Sequence, residues 1–191
     1  MRNTKNHRNR GNIGTAVLII LAISIVFGLV FDFVVSKIEY AVYPKPDEYR
    51  QYVLKYSSEF GVPENLIWAV IKTESGFDAS AISDAGAVGL MQLTEPTFNE
   101  ISNQRLKDGF DAGMRYDPET NIRYGTYYLS YLHARYSNWD TVLAAYNAGL
   151  GNVDNWLGDK TSLSSDDIPF KETRDYVKKV NKAREKYEDL Y

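Results

Sequence analysis

From Gly14 to Val35 the chain is apolar at nearly every position, interrupted only by Thr15, Ser24, Asp32 and the glycines Gly14 and Gly28. About 20 apolar residues cross a hydrocarbon core, so this run predicts a membrane-spanning helix with Asp32 at the far interface. A cleaved signal peptide is the competing reading. Such signals carry an apolar stretch of roughly 7 to 15 residues before a small-residue cleavage point. This run is longer, and Phe31-Asp32-Phe33-Val34-Val35-Ser36 offers no small-x-small site, which favours an uncleaved anchor. Residues 1–13 are then a leader, 14–35 the span, 36–46 a stem punctuated by Pro44 and Pro46, and 47–191 the main body.

Beyond Pro46 the spacing becomes helical. Tyr49, Tyr52, Val53, Tyr56 and Phe60 share one face, and Gly61 is a stop. Pro63 suits the first turn of a second helix, with Leu66, Ile67, Val70 and Ile71 apolar. Thr94 caps a helix containing Phe98 and Ile101. Asp117-Pro118 starts another, with Ile122, Gly125, Tyr128, Leu129 and Leu132 on one face. Asp140 is placed to cap a shorter helix, Thr141 to Ala148, that ends at Gly149. Glu172 to Tyr187 forms the last, with Tyr176, Val177, Val180 and Tyr187 inward. No run alternates with strand period, so the body is expected to be mainly α.

Charge and composition narrow the location and the chemistry. Arg2, Lys5, Arg8 and Arg10 stand before residue 11 with no acid among them, while the whole chain is −3. A cationic leader stays in the cytoplasm, which places everything after the span outside. The acidic body lacks the basic footprint of nucleic-acid binding. There is no Cys, hence no disulfide and no thiolate metal site, and His7 and His133 do not form a metal-ligand spacing. No cofactor is implied. The 15 Tyr residues point to a cleft or surface rich in amphipathic rings.

One acid stands out. Glu74 follows Ile71 by three residues, Val70 by four and Ile67 by seven, which puts it on the apolar face of its helix. It also lies in the last turn, before Ser75-Gly76, where the dipole disfavours negative charge. Burial and dipole both raise a carboxyl above its ordinary value of about 4.3, toward the range a general acid uses near neutrality. A helix end that swings Glu74 into water is equally compatible with the periodicity. Downstream, Ala85-Gly86-Ala87-Val88-Gly89 has little bulk, and Leu90-Met91-Gln92-Leu93 sets an amide among apolar residues.

Glu74-Ser75, Ser83, Gly86-Ala87, Gly89-Leu90-Met91-Gln92, Ala145-Tyr146-Asn147-Ala148-Gly149 and Glu172-Thr173-Arg174-Asp175-Tyr176-Val177 occur in this order. Asn121-Ile122, Gly125 and Tyr128-Leu129 stand between them. Together they resemble the soluble lytic transglycosylase (SLT) family over roughly residues 49 to 187. The resemblance implies a mainly α, lysozyme-like domain behind a single N-terminal transmembrane helix, and peptidoglycan glycan strands as substrate. The bond cleaved would lie between N-acetylmuramic acid and N-acetylglucosamine, with the muramyl C6 hydroxyl closing onto C1 to give a 1,6-anhydro end. Most glycosidases need two carboxylates. Here one suffices, because the sugar supplies the nucleophile.

Residue by residue, the resemblance makes Glu74 the acid and then the base. Ser83 would lie near the substrate's acetamido group. Met91 and Gln92 would contact sugars, Tyr146, Asn147 and Ala148 would form the opposite wall, and Tyr176 would hydrogen-bond Glu74. Where the family commonly has Met-Pro after the glutamine, this chain has Leu93-Thr94-Glu95-Pro96. Packing alone also accounts for Met91, Ala148 and Tyr176, and backbone capping for Asn147. Two other functions compete: a hydrolytic muramidase, with Asp78, Asp84 or Glu95 as base, and a non-catalytic glycan-binding scaffold. No partner in the cell-wall machinery is named by the sequence.

Overall fold

The computed structural model describes residues 10–191, with side chains from residue 14 onward; the leader's Arg2, Lys5, His7 and Arg8 fall outside the described residues. The chain divides into two units, Met1–Pro44 and Lys45–Tyr191.

Among the described residues the first unit is one helix, α1 (Arg10–Val42), whose large apolar side chains are exposed along its length. It includes a stretch, Gly14–Val42, long and apolar enough to cross a membrane. The helix does not stop at Ser36, where the stem was expected to begin. Nothing between Ser36 and Val42 breaks a helix, and the first Pro that does is Pro44. Only Tyr43–Pro46 is non-helical before the next element.

The second unit is helical. α2 (Asp47–Phe60) buries Tyr49, Val53 and Tyr56 and ends on Gly61, whose φ of 68° lets its N–H reach the Ser57 carbonyl. α3 (Glu64–Glu74) is the central helix. Its six residues from Leu66 to Ile71 are all buried, Trp68 and Ala69 as well as the expected apolar face, because α3 packs against both α2 and α8. Pro63 precedes the first turn as N-cap, one position earlier than expected.

α4 (Glu95–Glu100) begins at Thr94, whose hydroxyl accepts the Thr97 N–H, and runs into a π-helical turn, Ile101–Leu106. A short 3-10 turn, Ala112–Tyr116, leads to α5 (Pro118–Tyr136), where the Asp117 carboxylate accepts the Thr120 N–H at 2.8 Å. α6 (Trp139–Ala148) is capped by Asn138 and not by Asp140. Asp140 instead accepts a hydrogen bond from Asn181 at 2.7 Å, tying α6 to the last helix. Gly149 ends α6 and, with φ 85°, turns the chain into α7 (Leu150–Leu157), which the periodicity did not reveal. After another 3-10 turn, Ser165–Asp167, α8 (Lys171–Leu190) buries Thr173, Tyr176, Val177, Val180, Ala183 and Tyr187. It packs along α3 and α6, while α5 packs on α2 and α6. The C-terminal end of α3 therefore lies within the body, bordered by helices from distant parts of the chain.

Candidate active site

The end of α3 is fixed before the chain turns. The Ser75 hydroxyl bonds the Leu90 carbonyl at 2.9 Å and accepts the Phe77 N–H at 3.2 Å. Gly76 and Phe77 then both take positive φ, 59° and 74°, which reverses the chain. The small-residue segment folds back on itself through two isolated antiparallel bridges, Ile82 with Val88 and Val88 with Leu93. At Gly89, φ is 81°, and a Cβ there would stand 2.4 Å from Asn121 Nδ2 and 2.9 Å from the Arg115 carbonyl. Only glycine fits this approach.

Asn121 explains the closeness. Fully buried on α5, it donates to the Val88 and Arg115 carbonyls at 2.9 and 2.8 Å and accepts the Met91 N–H at 2.7 Å. One amide side chain thus satisfies two backbone groups of this loop, at Val88 and Met91, and a third in the 3-10 turn, at Arg115.

Glu74 faces a cleft of about 430 Å³. Ser83, Asp84, Gln92, Tyr146, Asn147 and Glu172 share its lining. Behind the carboxyl, the Tyr176 hydroxyl donates to Glu74 Oε1 at 2.7 Å across 102 positions of sequence. Burial pushes the Glu74 carboxyl up to about 7, and the Tyr176 hydrogen bond, which favours the charged form, works against that rise. Glu74 is half-buried, reached from the cleft and walled by protein on its other sides. Of the two positions the periodicity left open, the structure takes the apolar face. Burial and the nearby Glu74 charge hold Tyr176 and Tyr146 well above the ordinary tyrosine value, so both stay neutral donors. The Tyr146 hydroxyl is spent on the Met91 carbonyl at 2.8 Å.

The expected site residues separate into three positions. Glu74, Ser83, Gln92, Tyr146 and Asn147 line one cleft, with Tyr176 bonded behind it. Gln92 is held rigidly: its backbone is left-handed at φ 49°, and its amide donates to the Ala81 and Gly89 carbonyls at 3.1 and 2.9 Å. Ser83 uses its hydroxyl to accept the Ala87 N–H at 3.1 Å. Met91 does not line the cleft. Its thioether is fully buried against Gly125, where a Cβ would stand 2.4 Å from the sulfur, and its carbonyl serves as the anchor for Tyr146. Ala148 lines an adjoining cavity with Asn147.

Of the three candidate bases, Asp84 lines the cleft. Asp78 caps Ser80 at 2.8 Å, and Glu95 pairs with Arg115 at 3.2 Å. Glu172 is a cleft carboxylate that sequence reasoning left without a role. Its spacing, four before Tyr176 on one helix, was the available signal.

Comparison with known proteins gives the family and the fold. Residues 51–168 match the family described as "Transglycosylase SLT domain". The match stops short of α8, which supplies Tyr176. The soluble lytic murein transglycosylase of Escherichia coli K12 is 36% identical over 142 residues, covering 71% of this chain and 22% of that protein. Membrane-bound lytic murein transglycosylase C of Pectobacterium atrosepticum is 33% identical over 166 residues, covering 73% of this chain and 46% of that protein. Among solved structures, the 70-kDa soluble lytic transglycosylase in complex with bulgecin A superposes with a TM-score of 0.69 at 35% identity, covering 75% of this chain and 24% of that one. An inactive glutamate-to-glutamine mutant of the lytic transglycosylase Slt from Pseudomonas aeruginosa gives 0.68 at 34% identity, covering 78% and 25%. This chain therefore spans between about a fifth and a half of the length of these relatives. The shared fold is the mainly α, lysozyme-like one that the helical pattern and the motifs led to expect.

Proposed function

The chain belongs to the transglycosylase SLT domain family, and from that premise we propose that it is a lytic transglycosylase of peptidoglycan held at the membrane by α1. The observation that carries the proposal is Glu74: a carboxyl in a cleft wall, raised to about 7 by burial and bonded by Tyr176. Near neutrality such a group is shared between acid and base forms, as a double proton role requires. Glu74 protonates the leaving glycosidic oxygen between N-acetylmuramic acid and N-acetylglucosamine. As carboxylate it then takes the proton from the muramyl C6 hydroxyl while that oxygen closes onto C1. The substrate's own 2-acetamido group, beside Ser83, assists the departure. Gln92 and Asn147 orient the sugars, and Tyr146 walls the cleft.

The proposed setting follows from the N-terminus. The leader stays in the cytoplasm, α1 makes a single pass, and the catalytic unit works outside on glycan strands. A specific observation favours a second reading. Asp84 and Glu172 line the same cleft as Glu74, so a hydrolytic muramidase has candidate bases. A non-catalytic scaffold has no comparable support.

Glu74→Gln tests the assignment. The amide fills the same space and cannot shuttle a proton, so solubilisation of purified peptidoglycan falls roughly 10²- to 10⁴-fold while glycan binding persists. Near wild-type turnover in the variant removes Glu74 from its role.

A further inference from the structure

A cavity of about 460 Å³ opens between α2, the 3-10 turn Ala112–Tyr116 and the start of α5, and it shares no lining residue with the Glu74 cleft. Its volume falls in the range of about 300–1,000 Å³ typical of small-ligand sites. One wall is apolar and open, with Phe110 and Met114 each 38% exposed. That wall is also held in shape. The Ser102 hydroxyl donates to the Phe110 carbonyl at 2.9 Å, and the Phe110 ring lies parallel to Tyr124, centroids 6.3 Å apart at 4°. The Asp117 N–H donates to the Met114 carbonyl at 3.1 Å. Next to Met114, Arg115 is buried and paired with Glu95 at 3.2 Å.

The rest of the lining includes three carboxylates, Glu59, Asp117 and Glu119, and two cations. Both cations are already paired, Lys55 with Glu119 and Arg123 with Asp108, each at 2.8 Å. The carboxylates are only half engaged. Glu119 receives Lys55 and the Tyr56 hydroxyl on Oε1 alone, and Asp117 receives the Thr120 N–H and hydroxyl on Oδ2 alone. Glu59 is exposed and has no ion pair or side-chain hydrogen bond among the described residues. An ionised carboxylate accepts on both oxygens and donates from neither. The cavity therefore keeps an excess of negative charge and open acceptors beside an apolar wall.

One chemical group answers both features, an ammonium on an alkyl chain. Its methylenes cover Met114 and Phe110, and its three N–H donors reach carboxylate oxygens. An anion is repelled by the excess charge, and a neutral apolar group leaves the carboxylates unanswered. We propose that this cavity is an exosite that takes the side-chain ammonium of the diamino acid in a peptidoglycan stem peptide. Glu59, with the second oxygens of Asp117 and Glu119, holds the ammonium. The inference rests on the proposed action on peptidoglycan and adds to it a peptide handle separate from the glycan cleft. A strand held by one stem stays near the enzyme, which raises its effective concentration at the cleft.

Calorimetric titration of the tripeptide L-Ala-γ-D-Glu-L-Lys into the full-length Glu74→Gln protein in detergent tests it. The comparison is the same peptide acetylated on the lysine side chain, which loses the charge and keeps the alkyl chain. Acetylation is expected to weaken Kd about three- to tenfold, the worth of one accessible ion pair. Adding Glu59→Gln weakens the free-amine peptide by a similar factor and leaves Kd for the acetylated one unchanged, with the thermal midpoint unmoved. Equal Kd values for the two peptides, or no binding of either, overturn the exosite and leave the cleavage reading intact. An equal loss for both peptides in the Glu59→Gln protein overturns the assignment of the ammonium to Glu59. Reducing ends in the products of the wild-type enzyme sink the transglycosylase reading, while the Kd values still decide the exosite.

Discussion

Glu74 is a carboxyl made difficult to ionise and then partly relieved by one hydroxyl. Burial raises it to about 7, and the hydrogen bond from Tyr176 lowers it. The sign of each effect makes a prediction. As general acid, Glu74 must start protonated, so kcat/KM falls as pH rises through about 7. Tyr176→Phe removes the bond that favours the carboxylate, so the carboxyl rises further and the alkaline limb moves to higher pH. A pH–rate profile of both proteins on one glycan substrate checks this. A limb that stays in place, or moves to lower pH, argues that the hydroxyl does not tune Glu74.

At the scale of elements, the cleft depends on a loop that α5 holds in place. Gly89 meets Asn121 and the Arg115 carbonyl, whereas Gly86, with a similar φ of 73°, has open space where a Cβ would stand. Gly86→Ala should therefore cost only the left-handed backbone penalty, about 1–2 kcal/mol. Gly89→Ala adds overpacking and should cost about 2–4 kcal/mol. Urea unfolding of the two variants separates the terms, and equal losses would mean that the loop yields freely at Asn121. Most helices of the body were legible because they carry an apolar stripe and a punctuating Gly, Pro, Thr or Asp. What escaped was decided by tertiary contact. Asn138 rather than Asp140 caps α6 because Asp140 is engaged by Asn181. Met91 is buried away from the cleft because Gly125, 34 positions later, leaves a slot for its sulfur. The short helix α7 follows directly on a glycine that also ends α6, and Gly149 read only as a stop. For Glu74 the periodicity left the apolar face and a solvent position equally open, and its partner Tyr176 was legible only through the motif order.

For the whole molecule, α1 is about 50 Å long at 1.5 Å per residue, more than a bilayer core requires. An uncleaved anchor predicts that the mature protein keeps its N-terminus and sediments with membranes; a mature form starting near residue 37 would show a cleaved signal instead. The central claim is chemical: the sugar, not water, attacks C1. It meets its most direct test in mass spectrometry of the muropeptides that the purified full-length enzyme releases from peptidoglycan. The account predicts fragments ending in 1,6-anhydro-N-acetylmuramic acid, lighter by one water than their hydrolytic counterparts. Fragments with free reducing ends would contradict it and turn attention to Asp84 and Glu172 as the bases of a hydrolase.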